Sequence, residues 1–352
     1  MVIDHIRKHK NKLFSALIEF QPKSWHNYFM AAPKSAILII ITISLTFMNS
    51  CSINKWAVNR VADMLSSGGG TVFSGDDDPE LIADALPFAL KLYESLLQST
   101  PDNSELLLAT GRTFIMYANA FVDTPAAMLP LEEFEQRKKM KMRSKRLYLR
   151  GRDYILKALA IRHEQFSSFM LPGAAETVLV TMEIDDVPYL YWAAAGWMAA
   201  FSADPFDMRL ALSRSKALAL MERAFELDEA FQKGAIHEFF ISYYGTLPAS
   251  LGGSKEKALF HFNRALELSG GLNSGPYVAL AGSIAVNEQN VEDFINLLNK
   301  ALEIDPDSNP ENRLANILNM RKAGWMLNHI EDYFLLPGDI SDNPTDKGSE
   351  EQ

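Results

Sequence analysis

One phrase recurs three times in this chain, as Ala224-Phe-Glu-Leu-Asp228, Ala265-Leu-Glu-Leu-Ser269 and Ala301-Leu-Glu-Ile-Asp305-Pro306. Successive copies begin 41 and 36 residues apart. Each opens on a small alanine, which lets neighbouring helices approach closely, and the last copy runs into a proline that cannot continue a helix. The phrase therefore indicates the end of the second helix in a repeated helical hairpin.

The segments around these copies extend the same pattern. From Pro79 to Phe334 the apolar residues recur at intervals of three and four. No run of alternating apolar and polar residues in this range is long enough to predict a strand. The repeat interval lies close to the tetratricopeptide (TPR) period of about 34 residues. We expect an all-α, tetratricopeptide-like helical-hairpin solenoid over residues 79–336. The expected first helices are Leu106–Val122, Tyr189–Ser202, Phe231–Tyr244, Gly275–Asn287 and Arg313–Asn328.

The start of the chain is typical of a secreted protein. Lys34 precedes an apolar run from Ile37 to Met48, and Ser50 then stands before Cys51. This order predicts a signal peptide at 1–50, with translation starting at Met30, and lipidation of Cys51 as in bacterial lipoproteins. An uncleaved membrane anchor is the alternative, although about 12 apolar residues fall short of the ~20 that a spanning helix needs.

The segments on either side of the helical domain differ from it in composition. Residues 51–78 are predicted to be a lipidated N-terminus and tether, because Gly68, Gly69, Gly70 and nearby turn formers break regular structure. Residues 337–352 are polar and have almost nothing to bury, so a disordered tail is expected.

The net charge argues against two kinds of partner, and the cysteine content excludes a disulfide. Cleavage before Cys51 removes six basic and two acidic residues, so the net charge falls from −10 to −14. An acidic surface argues against binding nucleic acid or anionic lipid, which leaves acyl chains as the route to the membrane. Because Cys51 is the single cysteine, an intramolecular disulfide is excluded.

The sequence offers no catalytic apparatus, and we expect neither an enzyme nor a cofactor. The histidines His163, His237, His261 and His329 lack a paired metal-binding spacing, so no metal site is expected. Phosphate-binding and nucleophile motifs are also missing. Gly252-Gly253-Ser254 is interpreted instead as a loop that ends in a helix cap.

Aromatic residues are the candidates for a ligand cavity, namely Tyr189, Trp192, Trp197, Tyr243 and Tyr244. On helical geometry the first three cannot share one narrow stripe, so some must face the core. They are either ordinary core residues or the lining of an apolar cavity with hydroxyl groups at its edge.

A basic block stands out in this acidic protein. It is either a solvated helix face or a docking and steering surface for an anionic partner. Its members are Arg137, Lys138, Lys139, Lys141, Arg143, Lys145 and Arg146.

Several phrases in order resemble one family, the T component of tetratricopeptide-associated TRAP transporters. They are Phe73-Ser-Gly-Asp-Asp-Asp-Pro-Glu-Leu81, Ala85–Leu97, Leu190-Tyr-Trp192 with Trp197, Gly252-Gly-Ser254 with His261-Phe262 and Arg264–Leu268, and Arg313-Leu-Ala-Asn316 with Gly324-Trp325. The resemblance implies a periplasmic lipoprotein that works beside a TRAP-type solute-binding protein. It also implies a homotrimer, with a cavity or pore in each protomer that passes a small organic or hydrophobic carboxylate.

Two functions follow from these patterns. The first is an accessory subunit of a TRAP-type solute transporter, lipid-anchored in the periplasm to the inner or outer membrane. The alternative is a TPR scaffold lipoprotein for cell-envelope protein assembly, which would use the same repeat to grip protein segments in an open groove.

Overall fold

The structure is a computed structural model, and it describes residues 72–335. Every regular element in that range is helical and no strand occurs there, so the expected all-α class is confirmed. The signal peptide at 1–50, Cys51, the tether up to residue 71 and the tail at 337–352 lie outside the described residues.

Twelve α-helices follow one another in the described range. They are α1 (Pro79–Ser99), α2 (Ser104–Ala118), α3 (Thr124–Ala127), α4 (Phe134–Arg162), α5 (Ala175–Leu179), α6 (Val187–Ala203), α7 (Met208–Leu227), α8 (Ala235–Thr246), α9 (Lys255–Ser269), α10 (Gly275–Leu280), α11 (Val291–Leu302) and α12 (Arg313–Leu327). Two π-helical segments extend them, Asn119–Asp123 after α2 and Ala281–Ala285 after α10.

Side-chain caps fix where the helices begin. Asp78 accepts a hydrogen bond from the backbone N–H of Leu81, and Pro79 occupies the first helical position of α1. Ser254 likewise accepts from the N–H of Lys257 at the start of α9, which confirms its expected capping role. Such caps satisfy N–H groups that have no partner within the helix.

The alanines of the repeated phrase lie where the repeat predicts. Ala224, Ala265 and Ala301 sit in the last turns of α7, α9 and α11, and all three are buried. Their small side chains allow close contact with the neighbouring helices.

One expected helix begins later than the sequence suggests. The helix expected from Phe231 starts at Ala235, because Gln232, Lys233 and Gly234 have positive φ angles of 47°, 55° and 102°. Left-handed backbone conformations cannot continue a right-handed helix, so the chain turns here before α8.

Helix contacts run in series and then close. Contacts link α1 to α2, α2 to α4, α4 to α6 and α6 to α7, and continue through α8 and α10 to α12. The last helix then meets the first, since Leu314 of α12 packs in a buried cluster with Ile82 and Leu86 of α1. Arg321 of α12 also pairs with Glu80 of α1. These contacts complete a circuit of helices.

Candidate functional site

Two of the expected cavity residues, Tyr189 and Trp197, are almost completely buried in α6. The Tyr189 hydroxyl donates a hydrogen bond to Glu105 Oε1 at 2.5 Å, and Trp197 Nε1 donates to Ser213 Oγ at 3.1 Å. Burial, with Glu105 as a further cause, raises the pKa of Tyr189. Both residues therefore link α6 to neighbouring helices through satisfied polar atoms.

The other three, Trp192, Tyr243 and Tyr244, are only partly buried. The Tyr243 ring stacks on Phe239 with centroids 6.1 Å apart, and the Tyr244 ring stacks on His261 at 5.7 Å. These residues keep part of their surface exposed, in an aromatic setting.

Tyr191, which stands between two of the proposed residues, is a neighbour that the sequence reasoning did not select. Its ring meets Trp192 edge-on at 5.2 Å and packs against Phe231 at 5.2 Å. Burial raises the pKa of Tyr191 well above its ordinary value, and the charge of Glu238 adds to that rise. The Tyr191 side chain is itself only partly buried.

That carboxylate, Glu238, was also missed. It belongs to α8, whose sequence Ala235–Thr246 carries no other acidic or basic residue apart from His237. Burial raises the pKa of Glu238 to about 7, and the charge of Lys322 on α12 acts in the opposite direction. A single acidic residue in an otherwise apolar helix is the sequence signal that could have identified it.

Lys322 is the basic partner in this electrostatic relationship. Burial lowers the pKa of Lys322, and so does the charge of Lys141, whereas Asp123 and Glu238 raise it. Neither Lys322 nor Glu238 forms a hydrogen bond or an ion pair with another residue in 72–335. Both side chains are only partly buried, so their charged atoms contact space that water can reach.

The other two charged residues that act on Lys322, Lys141 and Asp123, form an ion pair with each other. Lys141 Nζ lies 3.0 Å from Asp123 Oδ1, and the Ser144 hydroxyl donates to the same oxygen at 2.8 Å. This arrangement satisfies Asp123 without help from Lys322.

A missing side chain makes room for the Glu238 carboxylate. A Cβ placed on Gly275, the first residue of α10, would clash with the carboxyl group of Glu238. Glycine at this position therefore permits the carboxylate to lie against the backbone at the start of α10.

A second polar cluster contains His237, the residue before Glu238. His237 Nδ1 is 2.8 Å from His261 Nδ1, so one ring donates and the other accepts. Burial, followed by the neighbouring charge of His237, lowers the pKa of His261 to about 4. This pair is surrounded by Phe225, Phe240 and Tyr244, which makes it a core hydrogen bond.

Some side chains of the basic block on α4 form ion pairs within residues 72–335, and others do not. Lys145 bridges Asp204 at 2.7 Å and Asp207 at 2.6 Å, and Lys141 pairs with Asp123 as described.

Two arginines of the block are held by neutral acceptors. Arg137 donates to the Leu129 carbonyl, and Arg143 donates to the Tyr117 hydroxyl.

The remaining members, Lys138, Lys139 and Arg146, are exposed and make no ion pair within residues 72–335. Arg146 also lines a shallow groove of about 470 Å³ with Arg150 and Lys157. The free part of the block is therefore smaller than the sequence suggests.

The described residues limit other kinds of site. In 72–335 no cluster of three or more histidine, cysteine or acidic side chains is arranged to hold a metal ion. Among the helices of the same range, none combines the length and apolar character needed to cross a membrane.

Comparison with known proteins agrees with the resemblance in the sequence. The sequence profile of the family described as TRAP transporter T-component matches residues 75–334. An uncharacterized protein of Treponema pallidum (strain Nichols) is 36% identical over 267 residues, which cover 75% of this chain and 83% of that protein. The chain therefore belongs to the TRAP transporter T-component family, a family of transporter accessory components rather than enzymes.

Proposed function

We propose that this accessory component works outside the cytoplasm, in the periplasm, where acyl chains on Cys51 hold it at a membrane. In this proposal the paired helices are tetratricopeptide-like hairpins and the chain forms a homotrimer. Each protomer engages a TRAP-type solute-binding protein, and a small organic ligand with apolar character passes through its interior.

The observation that carries the ligand passage is the placement of Glu238 and Lys322. Burial shifts the pKa of both groups toward the neutral form, yet their charged atoms contact space that water can reach. An internal space accounts for both facts, because it is surrounded by protein and still open to small molecules. The circuit of helices from α1 to α12 supports such an enclosed space.

Aromatic residues provide the apolar part of the passage in this proposal. Trp192, Tyr243 and Tyr244 are partly buried. The Tyr243 ring stacks on Phe239 and meets the Tyr244 ring edge-on, whereas Trp192 contacts Tyr191 edge-on. Tyr189 and Trp197 are buried and belong to the core in this proposal.

Native mass spectrometry of the mature protein with the solute-binding protein of the same transporter tests the function. We expect a defined complex, a trimer of this chain and a retained small molecule. A monomer that never associates with the binding protein and carries no ligand would refute the proposal, whereas stable capture of unrelated envelope proteins would favour a scaffold.

The free part of the basic block supports a docking role and can be tested separately. A variant combining Lys138→Glu, Lys139→Glu and Arg146→Glu reverses three exposed charges that have no ion-pair partner in the described range. We expect association with the solute-binding protein to slow about tenfold or more at low salt, because complementary charge mainly governs the association rate. Lys300→Glu, on the exposed surface of α11, is the control and should leave that rate nearly unchanged.

A further inference from the structure

One face of α4 carries a continuous row of basic side chains, the basic ridge. Residues that alternate at intervals of four and three along this helix are all exposed, and all but Asp153 are basic. They are Lys139, Arg143, Arg146, Arg150, Asp153 and Lys157. Because residues three and four apart share one face of a helix, these side chains form a ridge about 27 Å long.

The acidic side chains beside the ridge already have partners. Asp153 accepts a hydrogen bond from Arg152 at 2.7 Å. Glu94 of α1 is mostly buried and pairs with Lys91 at 2.8 Å and with Arg150 of the ridge. These acids therefore neutralise only part of the positive charge on this face of α4.

Other cations of the ridge have no acidic partner. Lys139 and Arg146 form no hydrogen bond or ion pair with another residue in 72–335. In the same range Arg143 donates to a neutral group, the Tyr117 hydroxyl, at 3.3 Å. The whole chain has a net charge of −10, so the ridge is a local reversal of that charge. Such a surface attracts anionic partners.

A groove adjoins the ridge where α4 lies beside α1 and α2. It consists of two neighbouring cavities of about 470 and 320 Å³ that share Arg150, Tyr154 and Lys157. Leu149 lines the first cavity, and Leu97 and Leu107 line the second. Apolar surface therefore lies directly next to the cations.

Tyr154 is held in place in the wall of this groove. Its hydroxyl donates to Glu94 Oε1 at 2.8 Å, and its ring stacks on Phe114 with centroids 6.0 Å apart. The Arg150 guanidinium lies over the same Phe114 ring at 4.8 Å. A partner that binds here meets a surface that is already ordered, which lowers the entropic cost of binding.

We propose that the groove and the basic ridge together bind an acidic polypeptide segment of a partner protein. Carboxylates of the segment pair with the ridge cations, Arg146 above all, and one apolar side chain of the segment enters the groove between Leu149 and Tyr154. This proposal goes beyond the proposed function, because it defines the chemistry of the partner segment and requires no ligand passage.

A polypeptide fits this surface better than other anions do. About eight residues of extended chain span the ridge, at roughly 3.3 Å per residue, and can present carboxylates and an apolar side chain together. A long nucleic acid would be repelled by the remaining acidic surface. An anionic membrane would require protruding apolar side chains, whereas Leu149 and Tyr154 are partly buried beside the ridge.

The test uses labelled nine-residue peptides that differ in one property each. The first has four glutamates on each side of a central leucine, the second has serine in place of the leucine, and the third has glutamine in place of every glutamate. Fluorescence anisotropy measures their binding to the full mature chain at low salt. We expect the first peptide to bind about fivefold more tightly than the second and at least about tenfold more tightly than the third.

Variants assign each property to its residue. Arg146→Glu should weaken the acidic leucine peptide about fivefold or more, whereas Leu149→Ser should abolish the preference for leucine over serine. Leu149→Met keeps the apolar surface and should keep that preference. Lys300→Glu and Leu302→Ser make matched changes at exposed positions of α11 and should leave peptide binding unchanged. Circular dichroism shows whether each variant is folded.

Several outcomes would overturn the inference. These are equal affinity for the leucine and serine peptides, equal affinity for the glutamate and glutamine peptides, or binding that is unaffected by both Arg146→Glu and Leu149→Ser. Displacement of the acidic leucine peptide by oligothymidylate or by phosphatidylglycerol vesicles at lower concentration than by unlabelled peptide would identify nucleic acid or membrane as the occupant instead.

Complex formation with the solute-binding protein is measured in parallel. Selective peptide binding without that complex would count against the proposed function alone. An intact complex together with unselective peptide binding would count against the acidic segment alone.

Discussion

A Cβ placed on Gly275 would lie 2.5 Å from the carboxyl carbon of Glu238 and closer still to both carboxylate oxygens. The first residue of α10 thus determines where the side chain from α8 can lie. We predict that Gly275→Ala displaces the carboxylate and costs about 1 kcal/mol or less, because the end of a flexible side chain can shift more easily than packed backbone. Urea unfolding gives the change in free energy.

Gly324→Ala in α12 is the matched control. A Cβ at Gly324 would meet no heavy atom within 4 Å, and the residue lies inside a helix. Alanine there should raise stability by up to about 1 kcal/mol, because glycine costs a helix conformational entropy. If both alanine variants had the same effect, the close approach of Gly275 to Glu238 would carry no energetic weight.

The second prediction concerns the pH dependence of stability that Glu238 causes, with Lys322 as the charge that acts on it. Because burial raises its pKa from 4.5 to about 7, the folded state holds the proton more tightly than the unfolded state does. The stabilisation is fully present below pH 4.5 and is lost as the pH rises to about 7. Glu238→Gln should therefore gain about 1 to 3 kcal/mol relative to the native chain between pH 4 and pH 8.

Unfolding free energies at pH 4, 5.5 and 8 measure this change. Glu256→Gln, which alters an exposed carboxyl on α9, should follow the native curve in parallel. A Glu238→Gln curve that is also parallel would mean that this carboxyl has its ordinary pKa in the folded protein.

The third prediction concerns the His237 and His261 pair. Burial, and then the charges of His237 and Lys257, lower the pKa of His261 from 6.5 to about 4. Burial also lowers the pKa of His237, while Glu229 opposes that change and Arg264 adds to it. The unfolded chain therefore binds these protons first, so stability falls as the pH drops from 6.5 to about 4.

His261→Phe provides the comparison. It retains a flat ring against Phe240 and Tyr244 but leaves His237 Nδ1 without its partner. We expect a loss of about 1 to 3 kcal/mol at pH 7.5, and this difference should shrink toward pH 4 as the native pair is protonated. Thermal unfolding across that range checks it, and a difference that does not change with pH would contradict it.

The fourth prediction tests the loop that leads into α10. Asn316 of α12 is fully buried, and its side-chain oxygen accepts hydrogen bonds from the N–H of Ser274 at 2.9 Å and the Ser274 hydroxyl at 3.0 Å. Its amide donates to the Leu272 carbonyl at 2.9 Å. Asn316→Ala should cost about 2 to 4 kcal/mol, because buried polar groups lose their partners.

Asn319→Ala, one turn further along α12, is the control. Asn319 is half-buried and makes no hydrogen bond within the described range, so its replacement should change stability by about 0.5 kcal/mol or less. Chemical denaturation measures the free energy of unfolding of both variants. Equal losses of stability would show that the hydrogen bonds of Asn316 do not stabilise the protein.

Local features were predictable from the sequence. The cap at Ser254 and the positions of Ala224, Ala265 and Ala301 all agree with it. Each depends on interactions within a few residues, such as capping and helical periodicity, which the order of residues records directly.

The candidate site was less predictable, and the aromatic residues show why. Tyr189 and Trp197 were selected with Trp192 on size and chemistry, but a large ring gains stability from burial in a core as readily as from lining a cavity. The structure buries Tyr189 and Trp197 and leaves Trp192 partly exposed. Helical spacing alone does not say which of two faces meets a neighbouring helix.

The sequence by itself determined the all-helical class, the repeated hairpin phrase, the resemblance to a transporter component and the prediction of lipidation at Cys51. Only the tertiary structure decided that α12 returns to α1 and that the Glu238 carboxyl of α8 lies against Gly275 of α10. Periodicity is a local property of the chain. The meeting of distant side chains depends on how each pair of helices packs and on the turns between them, and small differences in each accumulate along the array.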